Sequence, residues 1–483
     1  MSTEARKRTT IELEEIIRRQ EEYIAALEQE AAALRKRVEE LERLLKEKAI
    51  AKEAKKPTFR EDYSLSRQER EHRRRRRKKS TGRKPKEAKQ ARIQRTEQVY
   101  PEGEAPEDCE LARDQCAWRL ENGRAVYVRY EIFRRRGMAD MPRILGLRNS
   151  RSEFGLEIHV VLAFLVYQVG VSIDHGREVL RFFTGLDLSR SQADCLLNQL
   201  AADWEEDFEA LCELVALAAV LYIDETGWKV GKRACYTWIF TTLSYVVFLC
   251  GRGRGGKVLD EILPERFAGI GVTDNYSAYE HRFRKHQKCW AHLLRKIISL
   301  MLRFPEKAEY RRFFEQLYTI YRKAVESQKA PPGTLDRSLR AAWLQGRIRE
   351  LCVRAGEQVS KEMPDDEQRF VKLQNELVDC IENLFVFVEH PEAQATNNAS
   401  EQGLRGESQA RHAARTSKTD RGAKRRSVIT SVLGSLKRML PAFTFDTVLE
   451  EVTRWWKEGL SFFQRQLSES KARAHLVLDP APS

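Results

Sequence analysis

The sequence predicts a multidomain α+β protein: an α/β core interrupted by a long helical insertion, with a coiled coil and a helical region ahead of it. Three observations carry that expectation. Residues 13–45 repeat in heptads without a slip. Residues 215–273 hold closely spaced runs rich in Tyr, Trp, Ile, Val and Phe. The stretch between Asp274 and Glu401 reads almost wholly as helix. At 483 residues the chain exceeds one compact core, so several folded units are expected.

Residues 1–48 form the first unit. Leu13, Gln20, Leu27, Leu34 and Leu41 fall at heptad position d, and Ile17, Ile24, Ala31, Val38 and Leu45 at a. β-Branched residues at a with Leu at d favour a parallel two-stranded coil, so a homodimer through residues 13–45 is expected. The flanking pairs Glu30–Arg35 and Arg37–Glu42 would attract across it. Residues 49–100 follow as a basic, flexible linker; within it residues 51–100 hold 19 Lys/Arg against 7 Asp/Glu. Arg73, Arg74, Arg75, Arg76, Arg77, Lys78, Lys79, Arg83 and Lys84 are its candidate DNA-binding residues, with Gly82-Arg83-Lys84-Pro85 similar to a minor-groove hook. Binding through such a segment is salt-dependent. A solvated charge run is the plainer alternative. A second basic excess lies at residues 405–438, with 10 basic and 2 acidic residues, and the two together indicate a polyanionic partner.

Residues 101–150 hold Cys109 and Cys116 with no second cysteine pair nearby, which reads as a vestigial zinc-motif-like segment. Residues 151–214 are expected to be helical, over 156–168, over 174–183, and from a Ser189 or Ser191 cap through Leu200. This pattern suits a helix-turn-helix that offers Arg190, Gln192 and Asn198 to DNA, and suits plain three-helix packing equally. Residues 215–290 begin the core. Strands are expected at 215–223, 234–242, 244–250 and 269–273, a short helix at 258–263, and another strand at 288–290. Three adjacent strands, a helix and a fourth strand follow the order of an RNase H-like fold. Residues 291–395 are too long for a loop and form a helical insertion, with helices at 291–303, 306–328, 335–355 and 367–388. Residues 396–440 complete the core, with helices at 398–406 and 421–440. Residues 441–483 form a C-terminal helix, at 446–468, and a tail.

Nine cysteines without regular spacing do not make a disulfide framework, which points to a reducing compartment. The N-terminus lacks the pattern of a signal peptide, and the apolar run at 158–171 is too short and interrupted to span a bilayer. A cytoplasmic protein with no membrane partner is expected.

The chemistry concentrates in three acidic stretches. Tyr222-Ile223-Asp224-Glu225-Thr226-Gly227-Trp228 and Val272-Thr273-Asp274-Asn275-Tyr276 place carboxylates where strands end, and Asn397-Asn398-Ala399-Ser400-Glu401 places one at a helix start. Such acids can converge to hold Mg²⁺, which favours oxygen ligands and keeps positions open for substrate phosphate. Each also has a plain reading. Asp224 and Glu225 could end a strand, Asp274 could open a turn, and Asn398 with Glu401 could form a capping box.

In combination and order these stretches resemble the insertion-sequence-66-type transposases, a branch of the DDE transposases. The resemblance extends over Cys289-Trp290-Ala291-His292-Leu293-Leu294-Arg295-Lys296 and over Gln402-Gly403-Leu404-Arg405. It implies an RNase H-like catalytic core with Asp224, Asp274 and Glu401 as catalytic residues and metal ligands. It also implies two Mg²⁺ per site (Mn²⁺ as substitute), Glu225 in support of a ligand, and Arg405 on DNA. The partners implied are transposon ends, target DNA, a second copy and accessory proteins, at the nucleoid. The chain departs from the family pattern in lacking a full cysteine-paired zinc motif, so zinc is not expected, and at residues 406–412. Cys289 and His292 lack an evident partner pair and read as helix packing. Two other functions stay open: a dimeric DNA-binding regulator derived from a transposase, and an RNase H-like nuclease that cuts without joining.

Overall fold

A computed structural model describes residues 90–478, with side chains to residue 472. The heptads at 13–45, the basic residues Arg73–Arg77, Lys78, Lys79, Arg83 and Lys84, and the last residues of the tail lie outside the described residues.

The described chain opens with a three-stranded sheet of order β1-β3-β2: β1 (Arg95–Val99), β2 (Cys109–Glu121) and β3 (Arg124–Arg135). β2 and β3 form an antiparallel hairpin around Asn122-Gly123, both with positive φ (49° and 73°). That is the turn that Asn-Gly favours, because its backbone twist matches that of the strands it joins. The vestigial zinc-motif-like segment expected at residues 101–150 takes largely the form of this hairpin. Cys109 and Cys116 stand on one extended strand, about 23 Å apart at ~3.3 Å per residue, too far to share an ion.

Four helices follow: α1 (Leu156–Ala163), continued by a wider turn at Phe164–Gln168, α2 (Ile173–Thr184), α3 (Arg190–Asp203) and α4 (Glu205–Ala216). The helix α4 occupies part of the expected strand at 215–223, because Leu211, Leu214 and Val215 are buried at helical spacing. The main sheet then forms from β4 (Val220–Val230), β5 (Arg233–Thr241), β6 (Val246–Arg252), β7 (Phe267–Thr273) and β8 (Phe283–Lys288), in the order β6-β5-β4-β7-β8. β4, β5 and β6 are antiparallel neighbours, and β7 and β8 run parallel to β4. Alternation along the strands divides the core between two faces. Leu221, Ile223, Trp238, Phe240, Val247 and Leu249 pack with the N-terminal helices. Their neighbours Tyr222, Ile239, Val246 and Phe248 belong to clusters on the other side.

The insertion comprises α5 (Trp290–Arg303), α6 (Ala308–Gln328), α7 (Arg337–Leu351), α8 (Asp365–Asp379) and α9 (Val386–Glu389). The single helix expected over 367–388 is broken after Asp379. Leu384, Phe385, Val386, Phe387 and Val388 are all buried, so no polar stripe holds a helix there. Side chains take over backbone partners instead: Gln287 and Trp290 donate to Leu384 O (3.1 and 2.6 Å), and Phe387 N–H donates to Gln287 (2.9 Å). The insertion shares its apolar core with Tyr222, Ile270 and Val272 of the sheet. Its two ends meet at a neck. Trp290 N–H donates to Ala395 O (3.1 Å), and Gln394 N–H donates to the Tyr222 hydroxyl (3.1 Å).

The last helices are α10 (Asn398–His412), α11 (Asp420–Met439), α12 (Phe445–Glu458) and α13 (Phe462–Leu478). The expected helix at 446–468 is two, separated at Gly459, whose φ of 71° ends α12 in a left-handed cap. The helix α11 lies along the edge strand β6. Ser427, Ser431 and Ser435 accept the backbone N–H of Cys250 (2.9 Å), Phe248 (2.8 Å) and Val246 (3.0 Å). Four helical residues rise about 6.0 Å and two strand residues about 6.7 Å, so this ladder stays in step. Gly434 permits the approach, since a Cβ there would meet Val246 Cγ1 at 2.8 Å.

Candidate active site

Asp224 and Asp274 are placed by the sheet. β4 and β7 pair in parallel through Tyr222↔Val272, and each aspartate lies two residues beyond that rung on its own chain. Alternation puts Asp224 on the face of Tyr222, toward the insertion. Its Oδ1 accepts Glu225 N–H (2.8 Å), while Asp274 Oδ1 accepts Tyr276 N–H (3.0 Å) and closes a tight turn.

Glu401 arrives on α10, which is pinned on either side of it. At the helix start Asn397, fully buried, donates from Nδ2 to Ile223 O (2.7 Å), the carbonyl just before Asp224. Further along, Glu407 and Arg426 form a buried two-bond ion pair (2.7 and 2.9 Å) that ties α10 to α11. Between the pins, Gly403 lets the helix lie on β5; a Cβ there would overlap Ile239 Cδ1. The capping-box alternative for Glu401 does not hold. Asn397, not Asn398, flanks the helix, and the Glu401 side chain turns to Arg295.

Electrostatics binds the three acids together. Burial, then the negative charges of Glu225, Asp274 and Glu401, push the Asp224 carboxyl up to about 7, against the Glu225 N–H that it accepts. A site that resists its own ionisation in this way is relieved by a divalent cation, and three carboxylates are the donor set that Mg²⁺ prefers. The donor chemistry of the three residues suits that ion.

Glu225 adds its charge to this group while its own oxygens are engaged by other side chains. It accepts the Tyr279 hydroxyl (2.7 Å) and Arg254 Nε (3.1 Å), and Arg254 in turn stacks on Tyr276 at 4.5 Å. Arg254 thus ties the loop that follows β6 to Glu225 and Tyr276.

Several participants escaped the sequence reading. Arg295 of α5 grips Glu401 with a two-bond fork (3.1 and 2.8 Å). Asn275, beside Asp274, donates to Glu376 of α8 (2.8 Å), which Lys296 also binds (2.6 Å), so the insertion reaches the aspartate's own loop. Lys288 is buried at the end of β8, opposite Thr273, and burial holds its ammonium below the usual lysine range. Recurrence of His292, Arg295 and Lys296 at steps of three and four was the available signal that one face of α5 looks onto the site.

The remaining candidates lie apart. Arg405 is exposed one turn beyond Glu401. Arg190, at the start of α3, pairs with Asp174 (3.1 Å). The Gln192 side chain closes a capping box, accepting Ser189 N–H (2.9 Å) while Ser189 Oγ accepts Gln192 N–H (3.2 Å). Asn198 is turned back onto Asp194 O (2.7 Å). Two of the three polar side chains that a helix-turn-helix would offer are therefore engaged within α3 itself.

No described helix is long and apolar enough to cross a membrane. Comparison with protein families matches residues 151–425 to the family described as Transposase IS66 family. No curated protein matches the chain.

Proposed function

The chain belongs to the IS66 family of transposases, and we propose that it joins transposon ends to target DNA through Mg²⁺-dependent phosphodiester hydrolysis and strand transfer at Asp224, Asp274 and Glu401. What supports this reading is that Asp224 and Asp274 each follow the same rung of paired strands by two residues, and that burial and the charges of Glu225, Asp274 and Glu401 push the Asp224 carboxyl up to about 7. The sheet order β6-β5-β4-β7-β8, with the first acid on the central strand and the second just past its parallel neighbour, supports an RNase H-like core.

Asp224, Asp274 and Glu401 would hold the metal. Bound Mg²⁺ would supply Lewis acidity toward the scissile phosphate and a water of lowered pKa. The chain's own groups do the rest. Glu225, held by Tyr279 and Arg254, keeps the backbone after Asp224 in place, and Asn397 holds the carbonyl before it. Arg295, which holds the Glu401 carboxylate, would be free to face the phosphate once that carboxylate held a cation. Arg405, Arg190, Gln192 and the basic residues from Arg73 to Lys84 contact DNA, Gln192 at the expense of its capping box. Residues 13–45 pair two copies, so that two ends are held at once, in the cytoplasm on the nucleoid.

Labelled DNA ends, target DNA and Mg²⁺ incubated with the full chain provide the test. Cleavage followed by joined product is expected. Asp224→Asn, Asp274→Asn and Glu401→Gln should each lower cleavage by at least ~10³-fold while DNA affinity stays near that of the parent. Cutting without joining would reduce the protein to a nuclease. Binding with no cutting would make it a regulator.

A further inference from the structure

Cys289, the residue before α5, is 1% exposed, and its Sγ accepts Asn397 N–H at 3.2 Å. Burial pushes the Cys289 thiol up, against the backbone N–H groups of Asn397, His292 and Ala291, which favour its thiolate. One turn on, His292 Nδ1 is shut off from solvent and has no hydrogen-bond partner. Its nearest acidic atom is Glu401 Oε1 at 3.8 Å, beyond hydrogen-bonding length. The Cys289 sulfur, a ring nitrogen of His292 and a carboxylate oxygen of Glu401 all lie within 4.8 Å of one another.

We propose that Cys289, His292 and Glu401 form a soft-metal site, which takes zinc or a similar transition ion through one sulfur, one nitrogen and one oxygen. A buried thiol that caps a helix would account for the N–H groups on Sγ. It would not account for a secluded imidazole nitrogen with nothing to bind. An ion answers both, because it displaces the thiol proton, is bound by neutral imidazole, and leaves backbone N–H groups to stabilise the thiolate. Sulfur and imidazole select zinc-like ions over Mg²⁺. Three protein ligands leave a fourth position open, as in zinc sites that bind water or substrate.

Glu401 would then belong to two donor sets, and a soft ion would draw it away from Asp224 and Asp274. That inhibitory consequence rests on the function proposed above; the site itself does not. The ion must also compete with the Arg295 fork on the same carboxylate.

Cobalt(II) is the probe, titrated into the reduced full chain without DNA, so that the outcome is independent of any cleavage. Expected is one cobalt per chain with a thiolate-to-cobalt charge-transfer band, displaced by zinc and not by magnesium. Cys289→Ser, which retains a polar acceptor of similar size, and His292→Gln, at a half-buried position, should each weaken binding by at least ~100-fold. Unchanged circular dichroism confirms that the variants fold, and the His292 variant serves alone if the Cys289 variant does not. Cys195→Ser, at an exposed cysteine elsewhere, should keep the band. Absence of the band in the parent, its survival in Cys289→Ser or in a folded His292→Gln variant, or its loss in Cys195→Ser would overturn the proposal.

Discussion

At the scale of single residues, Asp224 has a measurable signature. Its carboxyl rises from 3.8 to about 7 on folding, chiefly through burial. The native state therefore holds this proton more tightly than the unfolded chain. The resulting penalty is absent below about pH 4, grows through the interval between the two values, and is complete above about pH 7. Asp224→Asn removes it. In chelator, the variant's gain in unfolding free energy should be larger at pH 8 than at pH 5, by an amount on the order of 2–3 kcal/mol. Equal gains at both values would show that the aspartate is not perturbed. Arg295 gives a second test. Arg295→Gln frees Glu401 from its fork, and Mn²⁺ affinity of the DNA-free protein, read by calorimetry, should rise by roughly tenfold. An affinity that stays the same would mean that the fork does not compete with the ion. Asp274 and Glu401 could be picked out in the sequence because one follows a strand and the other lies in the first turn of a helix. Asp224 is expected to end a strand as well, but β4 runs on through it to Val230, because pairing with β5 continues to Arg233. The fork could not be picked out, because Arg295 and Glu401 lie 106 positions apart and spacing says nothing about such a pair.

At the scale of elements, the position of α10 decides whether Glu401 can meet the aspartates. Breaking the buried Glu407–Arg426 pair by Glu407→Gln leaves an unpaired guanidinium between Tyr167 and Trp228, and should cost about 3–5 kcal/mol in urea unfolding. The edge strand offers a gentler probe. Ser431→Ala strands the buried N–H of Phe248 and should cost ~1–3 kcal/mol, with no effect on metal affinity. Strands β5, β6 and β7 were readable because β-branched and aromatic residues dominate them. The β2–β3 hairpin was not, since charged residues are scattered irregularly among its apolar ones and mask its apolar face; only Asn122-Gly123 marked it. The apolar run at Leu384–Val388 looked like more helix for the opposite reason, being buried on every side and so without a period to read. Partners supplied by Gln287 and Trp290, from nearly a hundred residues away, broke it.

At the scale of the whole molecule, DNA affinity and chemistry should separate. Replacing Arg73–Arg77 by Gln is expected to reduce the slope of log affinity against log salt by about 0.9 for each phosphate that is no longer neutralised, with uncut DNA as ligand. A slope that does not change would place the phosphate-binding residues elsewhere. The neck of the insertion has a different implication. Trp290, Gln394 and Asn397 join the chain's departure from the sheet to its return within a few hydrogen bonds of Tyr222 and Cys289. Everything beyond that collar is a detour, closed at its base, through which the backbone leaves and re-enters at nearly one point. Lineages could lengthen, trim or exchange the outer helices, and an engineer could graft a foreign module there, while the two halves of the carboxylate set kept their spacing.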